Sequence, residues 1–241
     1  MKYLETWNFP GKTNMALDTV LGEHSAKVRE PILRIYSWER PTLSIGRHQR
    51  AFESPFECVR RPTGGRAVLH WKEITYSVVF PKGSEEFKLS VLQLYRKISE
   101  IFLKAFRDLG LDVKMSKGWG SLKSESCFSS SARYELTLNG KKFLGSAQMR
   151  TSSYVLQHGS IILEYPRDLL KFLGWKDEKA IGILEVQKVG IRRIVDSILR
   201  SFDEVYGLDW MDFETIMDLL EEAKKREGEF SCRNSTSYRH R

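Results

Sequence analysis

The chain predicts an α+β domain: a mainly antiparallel or mixed sheet flanked by helices. Three observations lead there. Short runs rich in β-branched and aromatic residues, such as Ile74-Thr75-Tyr76-Ser77-Val78-Val79-Phe80, recur between turn signals. Two segments, around 90–109 and 191–205, place apolar residues at helical spacing. Asn139-Gly140 is a strong hairpin turn, and local turns join strands in antiparallel pairs. Strands that dominate early, with helices interspersed or later, fit a sheet with helices on its faces.

In chain order, Asn14 is a candidate cap for a helix from Met15 to about Ser25, with Met15, Leu17, Val20 and Leu21 facing inward. Strand-like runs follow at 32–38, 42–45 and 57–61, and the run ending at Phe80 stops before Pro81. From 90 to 109, Val91, Leu94, Ile98, Ile101, Phe102 and Ala105 form one stripe, with a serine cap and Gly110 as stop. Residues 117–131 are rich in Ser, Gly and Lys without periodicity and read as a loop over the sheet. Tyr134, Leu136 and Leu138 alternate with polar residues before the hairpin, and Lys141-Lys142-Phe143 begins the return strand. A second turn at 151–153 leads into a strand at 154–163. Helices are expected after Pro166, from Ile191 to Val205 before Gly207, and from Asp212 to about Glu227.

With 241 residues, 41% of them hydrophobic, the chain can bury one full core. Residues 1–227 are expected to form a single domain and 228–241 a basic, disordered tail with little to bury. No apolar run approaches the roughly 20 residues of a membrane span, and the N-terminus lacks a signal-peptide stretch, so a soluble, cytoplasmic protein is expected. A monomer is expected as well, because no uninterrupted apolar stripe is left over. The net charge of +8 favours acidic partners. Lys and Arg are scattered without a helix-turn-helix, zinc-finger or RNA-binding signature, which argues against nucleic acid. Cys58, Cys127 and Cys232 are an odd count at wide spacing and fit neither a disulfide framework nor a zinc cluster.

The stretch Arg60-Arg61-Pro62-Thr63-Gly64-Gly65-Arg66-Ala67-Val68-Leu69-His70 sets a glycine pair among cations between two strands. It has neither the Lys-Ser/Thr of a phosphate loop nor the G-x-G-x-x-G spacing of a dinucleotide fold. A close-approach loop for an anion or an acyl group remains, beside the simpler reading of a tight turn with solvated arginines. Cys127, in Ser126-Cys127-Phe128-Ser129, is a candidate nucleophile, or a passive loop cysteine. On the return strand Lys141 and Lys142 must face opposite ways, so only one can line a pocket; Lys142 is the candidate donor to a carbonyl or thioester oxygen. His70 and His158 are candidate proton carriers or structural histidines, without metal-ligand company.

Four segments in order, Asn14-Met15-Ala16-Leu17-Asp18, the arginine-glycine stretch, Lys142-Phe143-Leu144-Gly145-Ser146-Ala147-Gln148 and Gln157-His158-Gly159-Ser160, resemble the motifs of the lipoate-protein ligase and octanoyltransferase family. Cys127-Phe128 followed by Tyr134-Glu135-Leu136 resembles the loop of its cysteine-dependent octanoyltransferases. The resemblance implies the catalytic-core fold shared with biotin protein ligases and class II aminoacyl-tRNA synthetases. It implies transfer of an octanoyl group from acyl carrier protein, through a Cys127 thioester, to a lysine of a lipoyl-domain protein such as glycine cleavage H protein, without a cofactor. Cys127 and Lys142 would then be catalytic. Arg61, Gly64, Gly65, Arg66, His70, Gly145, Ser146 and His158 would bind substrate, with the glycine pair as floor of an acyl tunnel. Trp71 stands where the family has Asp, and Ser129-Ser130-Ser131-Ala132 where it has Asp-Ala-Pro-Ser. The rival within the family is an ATP-dependent lipoate-protein ligase domain served by a separate accessory domain.

Overall fold

The computed structural model describes residues 1–116, 134–175 and 180–232. Its centre is a six-stranded sheet. The strands are β1 (Lys2–Phe9), β2 (Ile32–Trp38), β6 (Glu73–Pro81), β10 (Leu144–Arg150), β11 (Tyr154–Ile162) and β12 (Asp209–Trp210), in the order β10-β11-β6-β2-β1-β12. β1 runs parallel to β2 and β12, and the remaining pairs are antiparallel, so the sheet is mixed. β3 (Thr42–Ile45), β4 (Glu57–Arg60) and β5 (Val68–His70) form a small sheet in the order β4-β3-β5. β7 (Val113–Met115), β8 (Leu136–Leu138) and β9 (Lys141–Lys142) form another.

The helices are α1 (Gly11–Val28), the single turn α2 (Glu85–Lys88), α3 (Val91–Asp108), the single turn α4 (Arg167–Leu170), α5 (Ile191–Tyr206) and α6 (Phe213–Lys225). Side chains alternate across a strand, and β2 and β6 are buried along nearly their whole length. One face, Leu33 and Ile35 of β2 with Ile74, Tyr76, Val78 and Phe80 of β6, packs on the apolar stripes of α3 and α5. From the other face, Ile32, Tyr36 and Trp38 pack on α1 and α6.

Most expected elements are present, α3 with its Ser90 cap and Gln93 capping box. Some elements carried no expectation, among them α2, β7 and β12, and one helix start moves. β1 carried no expectation, although Leu4 and Thr6 alternate inward. Asn14 is not a cap: α1 starts at Gly11 after Pro10, and Asn14 lies buried inside it, donating to Phe9 O and Ser37 O, both at 3.1 Å. The covering helix thereby gains a turn and a polar anchor to the sheet.

The C-terminal expectation changes too. The fold continues to Cys232: Phe230 packs against α1 and α6, Ser231 pairs with Val59, and Cys232 is disulfide-bonded to Cys58 with Cα atoms 5.7 Å apart. These cysteines are 174 positions apart in sequence. Only the pairing of β4 with the returning chain brings them together, which spacing cannot reveal. Residues 233–241 lie outside the described residues.

Candidate active site

The α1 side of the sheet is half polar, and there the site is built. α1 places Asn14 and Asp18 one turn apart on its buried face. Arg34 of β2, wholly buried, reaches into that turn. It donates to Asp18 Oδ1 at 2.8 Å, Asn14 Oδ1 at 2.5 Å, Asn14 O at 3.0 Å and Thr6 Oγ1 at 2.8 Å. Its guanidinium lies 3.9 Å over the Tyr36 ring, whose hydroxyl donates to Asp18 Oδ2. A buried charge is tolerated when it is paired and hydrogen-bonded, and Arg34 has an ion pair and four hydrogen bonds.

From Asp18 a relay runs to the glycine loop. His158 Nδ1 lies 2.8 Å from Asp18 Oδ2, and His158 Nε2 lies 2.7 Å from Thr63 Oγ1. A nitrogen facing a carboxylate carries the proton, so Nε2 accepts from the threonine hydroxyl. Burial pushes the His158 pKa down, against the pull of Asp18. Burial raises that of Asp18, but the hydrogen bond from His158 and the charge of Arg34 outweigh it and leave the carboxyl below its usual range. Neutral histidine and ionised aspartate suit this direction of donation.

A second relay of the same design lies beside it. His70 Nδ1 is 2.7 Å from Glu73 Oε1, and His70 Nε2 is 2.7 Å from Ser44 Oγ. Thr75 and Ser160 also donate to Glu73 Oε1, at 2.7 and 2.8 Å, and Trp38 stacks on the His70 ring with centroids 4.0 Å apart. The carboxylate of this relay comes from Glu73, three residues after His70. Its sequence signal is an acid at the head of an apolar strand.

Arg61 sits between the relays and is turned towards the backbone. It donates to Gly64 O at 2.8 Å, Arg66 O at 2.7 Å, and Ser44 O and Oγ at 3.1 Å. Arg60 likewise binds the carbonyls of Gly46, Arg47 and Gln49. Both arginines hold the loop in shape. Gly65 has φ of +92°, which suits glycine, and a Cβ on Gly46 would fall 2.0 Å from Gly65 O, so this turn needs both glycines.

Between the relays lies a narrow cavity walled by Met15, Tyr36, Trp38, Val68 and Ala147 with Arg61, His70, Gly145, Ser146, His158 and Ser160. Ser146 Oγ is 2.7 Å from Tyr76 OH, whose pKa burial raises to about 12. Gly64, Gly65 and Arg66 do not wall this cavity. They line an outer groove with His48, Arg50, Phe52 and Trp175, so the glycine pair is the outer lip of the site rather than its floor.

Lys142 is buried while Lys141 is exposed, the split expected of adjacent strand residues. Its Nζ donates to Glu135 Oε1 at 2.5 Å, and both side chains are within a few per cent of full burial. A lysine so placed supports structure, and it is not among the residues that wall the cavity. Cys127 and its loop lie outside the described residues. Arg34, Ser44 and Glu73 were not singled out by sequence reasoning, and Asp18, Thr63 and Glu135 stood there only within quoted motifs, without a role of their own. Among the described residues no cluster of His, Cys, Asp or Glu could hold a metal ion, and no helix is long and apolar enough to cross a membrane.

Residues 10–221 match the model of the lipoyl protein ligase A/B catalytic domain. The chain belongs to that family. Among curated relatives, the octanoyltransferase LipM of Carboxydothermus hydrogenoformans is 35% identical over 88% of this chain and 90% of its own length. That of Bacillus subtilis is 42% identical over 70% of this chain and 67% of its own. Among solved structures, a lipoate protein ligase of T. acidophilum with bound lipoic acid superposes with a TM-score of 0.76 at 22% identity, covering 93% of this chain and 94% of that one. Lipoate-protein ligase A bound with ATP gives 0.75 at 20% identity, covering 95% and 96%. At such identities the structures establish the fold, which is the α+β lipoate-protein ligase catalytic fold. The chain is an enzyme of this family.

Proposed function

We propose that this protein is the octanoyltransferase of a protein-lipoylation route, taking octanoyl from acyl carrier protein and passing it to a lysine of a lipoyl-domain protein such as glycine cleavage H protein. The observation that carries this reading is the likeness, over 88% of the chain, to a relative named an octanoyltransferase. Around the cavity, whose wall is largely apolar, residues of three of the quoted motifs meet: Arg61, Val68 and His70, then Gly145-Ser146, and His158-Gly159-Ser160.

In this mechanism the Cys127 thiolate attacks the thioester carbon, the carbon–sulfur bond to the donor breaks, and the donor leaves as a thiolate that takes up a proton from solvent. The acyl-enzyme divides one difficult transfer into two easier ones. Lys142 offers its ammonium to the carbonyl oxygen, where negative charge develops. The two relays tie the glycine loop, through Thr63, and β3, through Ser44, to histidines that wall the cavity. A charge of +8 steers acidic partners towards the site.

The test is intact mass after incubation with octanoyl-acyl carrier protein in the absence of ATP. An octanoyl adduct on the wild type that is lost in Cys127→Ala is the expected result. No adduct, or one that survives the substitution, overturns the assignment; activity only with ATP and free lipoate would make the protein a ligase.

A further inference from the structure

Two open grooves have basic walls with no acidic side chain in them. One is the outer groove beside the glycine loop, which His48, Arg50 and Arg66 line. The other lies at the tip of the hairpin of β10 and β11. There Lys27 and Arg29, at the end of α1, meet Lys82 after β6 and the turn residues Ser152 and Ser153. Lys27, Arg29, Arg50 and Lys82 are all exposed, and among the described residues none of the four forms an ion pair. On α3, by contrast, Arg96, Lys97 and Lys104 each have an acid of their own. Like charges gathered without counter-charges raise the local potential and suit a partner of opposite sign.

The grooves are neighbours. Arg47, next to His48, reaches Met149 Sδ at 4.0 Å, and Met149 packs with Ala26 on one small cluster of Val79, Tyr154 and Leu156. Ala26 is itself part of the hairpin groove. The basic face therefore runs from the lip of the site to the hairpin tip.

We propose that this face docks the acidic carrier protein that delivers the acyl group on a phosphate-linked arm. This rests on the transferase reading above and names the surface that holds the donor. Reach favours the donor over the acceptor. From Tyr154 at the head of β11 to His158 in the cavity wall is four residues of extended strand, about 14 Å. The hairpin-tip cations lie beyond that head, where Lys82 N donates to Ser153 O at 2.7 Å. An acceptor lysine has only a four-carbon stem, so its own backbone must come close to the cavity. An acyl group on a long arm enters the site while the carrier body stays at the hairpin. The phosphate at the root of that arm brings a further anion to the same cations.

The experiment compares two donors of one thioester. Initial rates of acyl loading are followed by intact mass for wild type and for the double variant Lys27→Glu with Lys82→Glu, using octanoyl-acyl carrier protein or octanoyl-pantetheine, which lacks the protein. In the variant, KM for the carrier should rise on the order of 10-fold while loading from octanoyl-pantetheine stays within about two-fold of wild type. Added salt should slow carrier loading of the wild type and change that of the variant much less. An unchanged KM for the carrier overturns the proposal and leaves the transferase reading intact. Equal loss with both donors also overturns it, because the substitutions would then act on the fold. Unchanged loading with slower transfer to the lipoyl-domain protein gives the face to the acceptor and overturns it as well. Failure of the wild type to load from either donor removes the transferase reading first, and the docking face with it.

Discussion

The two faces of the six-stranded sheet are made by the same strands and are built on opposite principles. Towards α3 and α5, Leu33, Ile35, Tyr76, Val78 and Phe80 meet Phe102, Phe106 and Phe202 in a core held by area and fit. Towards α1, the alternate residues Arg34, Glu73, Thr75, His158 and Ser160 form chains of hydrogen bonds around the cavity. The difference teaches how a small domain keeps a polar cavity in its interior. Both faces bury apolar side chains, but the α1 face in addition holds polar groups around the cavity, arranged so that nearly every buried polar atom there has a partner.

The contrast predicts how each face breaks. The largest effect belongs to the apolar face. Phe102 is fully buried, with the Tyr76 ring at 4.5 Å and that of Phe202 at 5.5 Å. Phe102→Ala should cost about 3–5 kcal/mol in urea unfolding, through lost transfer energy and the cavity left behind. A loss under about 1 kcal/mol would mean that the core on this side is loosely packed.

A smaller effect is expected on the polar face. Thr63→Val keeps the volume but leaves His158 Nε2 without its donor, at a cost of about 1–3 kcal/mol. Acyl loading should fall with it, because the glycine loop loses its tie to β11. Unchanged stability and loading would show that the relay is incidental to the loop.

The smallest effect is a pH dependence confined to the polar face. His158 has a lowered pKa in the fold, so between that value and its unfolded pKa of about 6.5 the unfolded chain binds more protons. Stability should therefore fall as pH drops below about 6.5. The depressed Asp18 contributes above its unfolded pKa of about 3.9, and that contribution is lost only as pH falls through its lower folded value. Urea midpoints across pH 4–7 should show the first loss in the wild type and not in His158→Gln. An identical slope in both would place the titration elsewhere.

The helices were largely legible because their stripes repeat over several turns, as in Leu94, Ile98, Phe102 and Ala105 of α3. The motifs that mark the family were legible as well, and His70, Gly145, Ser146 and His158 do meet at one cavity. Partners were harder to see. Asn14 looked like a cap because it precedes an apolar run, yet it ties α1 to Arg34 and to the end of β2. Arg61 looked like a ligand for an anion, yet several of its donors are spent on the loop that carries it. Each of these roles depends on a residue far along the chain.

By itself the sequence determined the periodicities, and with them the α+β class and most of its elements, because local spacing decides which side of a helix or strand is apolar. It determined the family as well, through ordered motifs. Only the tertiary structure decided which acid serves which histidine, that Cys58 meets Cys232, and that Lys142 is buried against Glu135. The physical reason is range. A stripe is a property of neighbouring residues, whereas a hydrogen bond or a disulfide needs two atoms within a few ångströms, and strand pairing sets that distance across the whole chain.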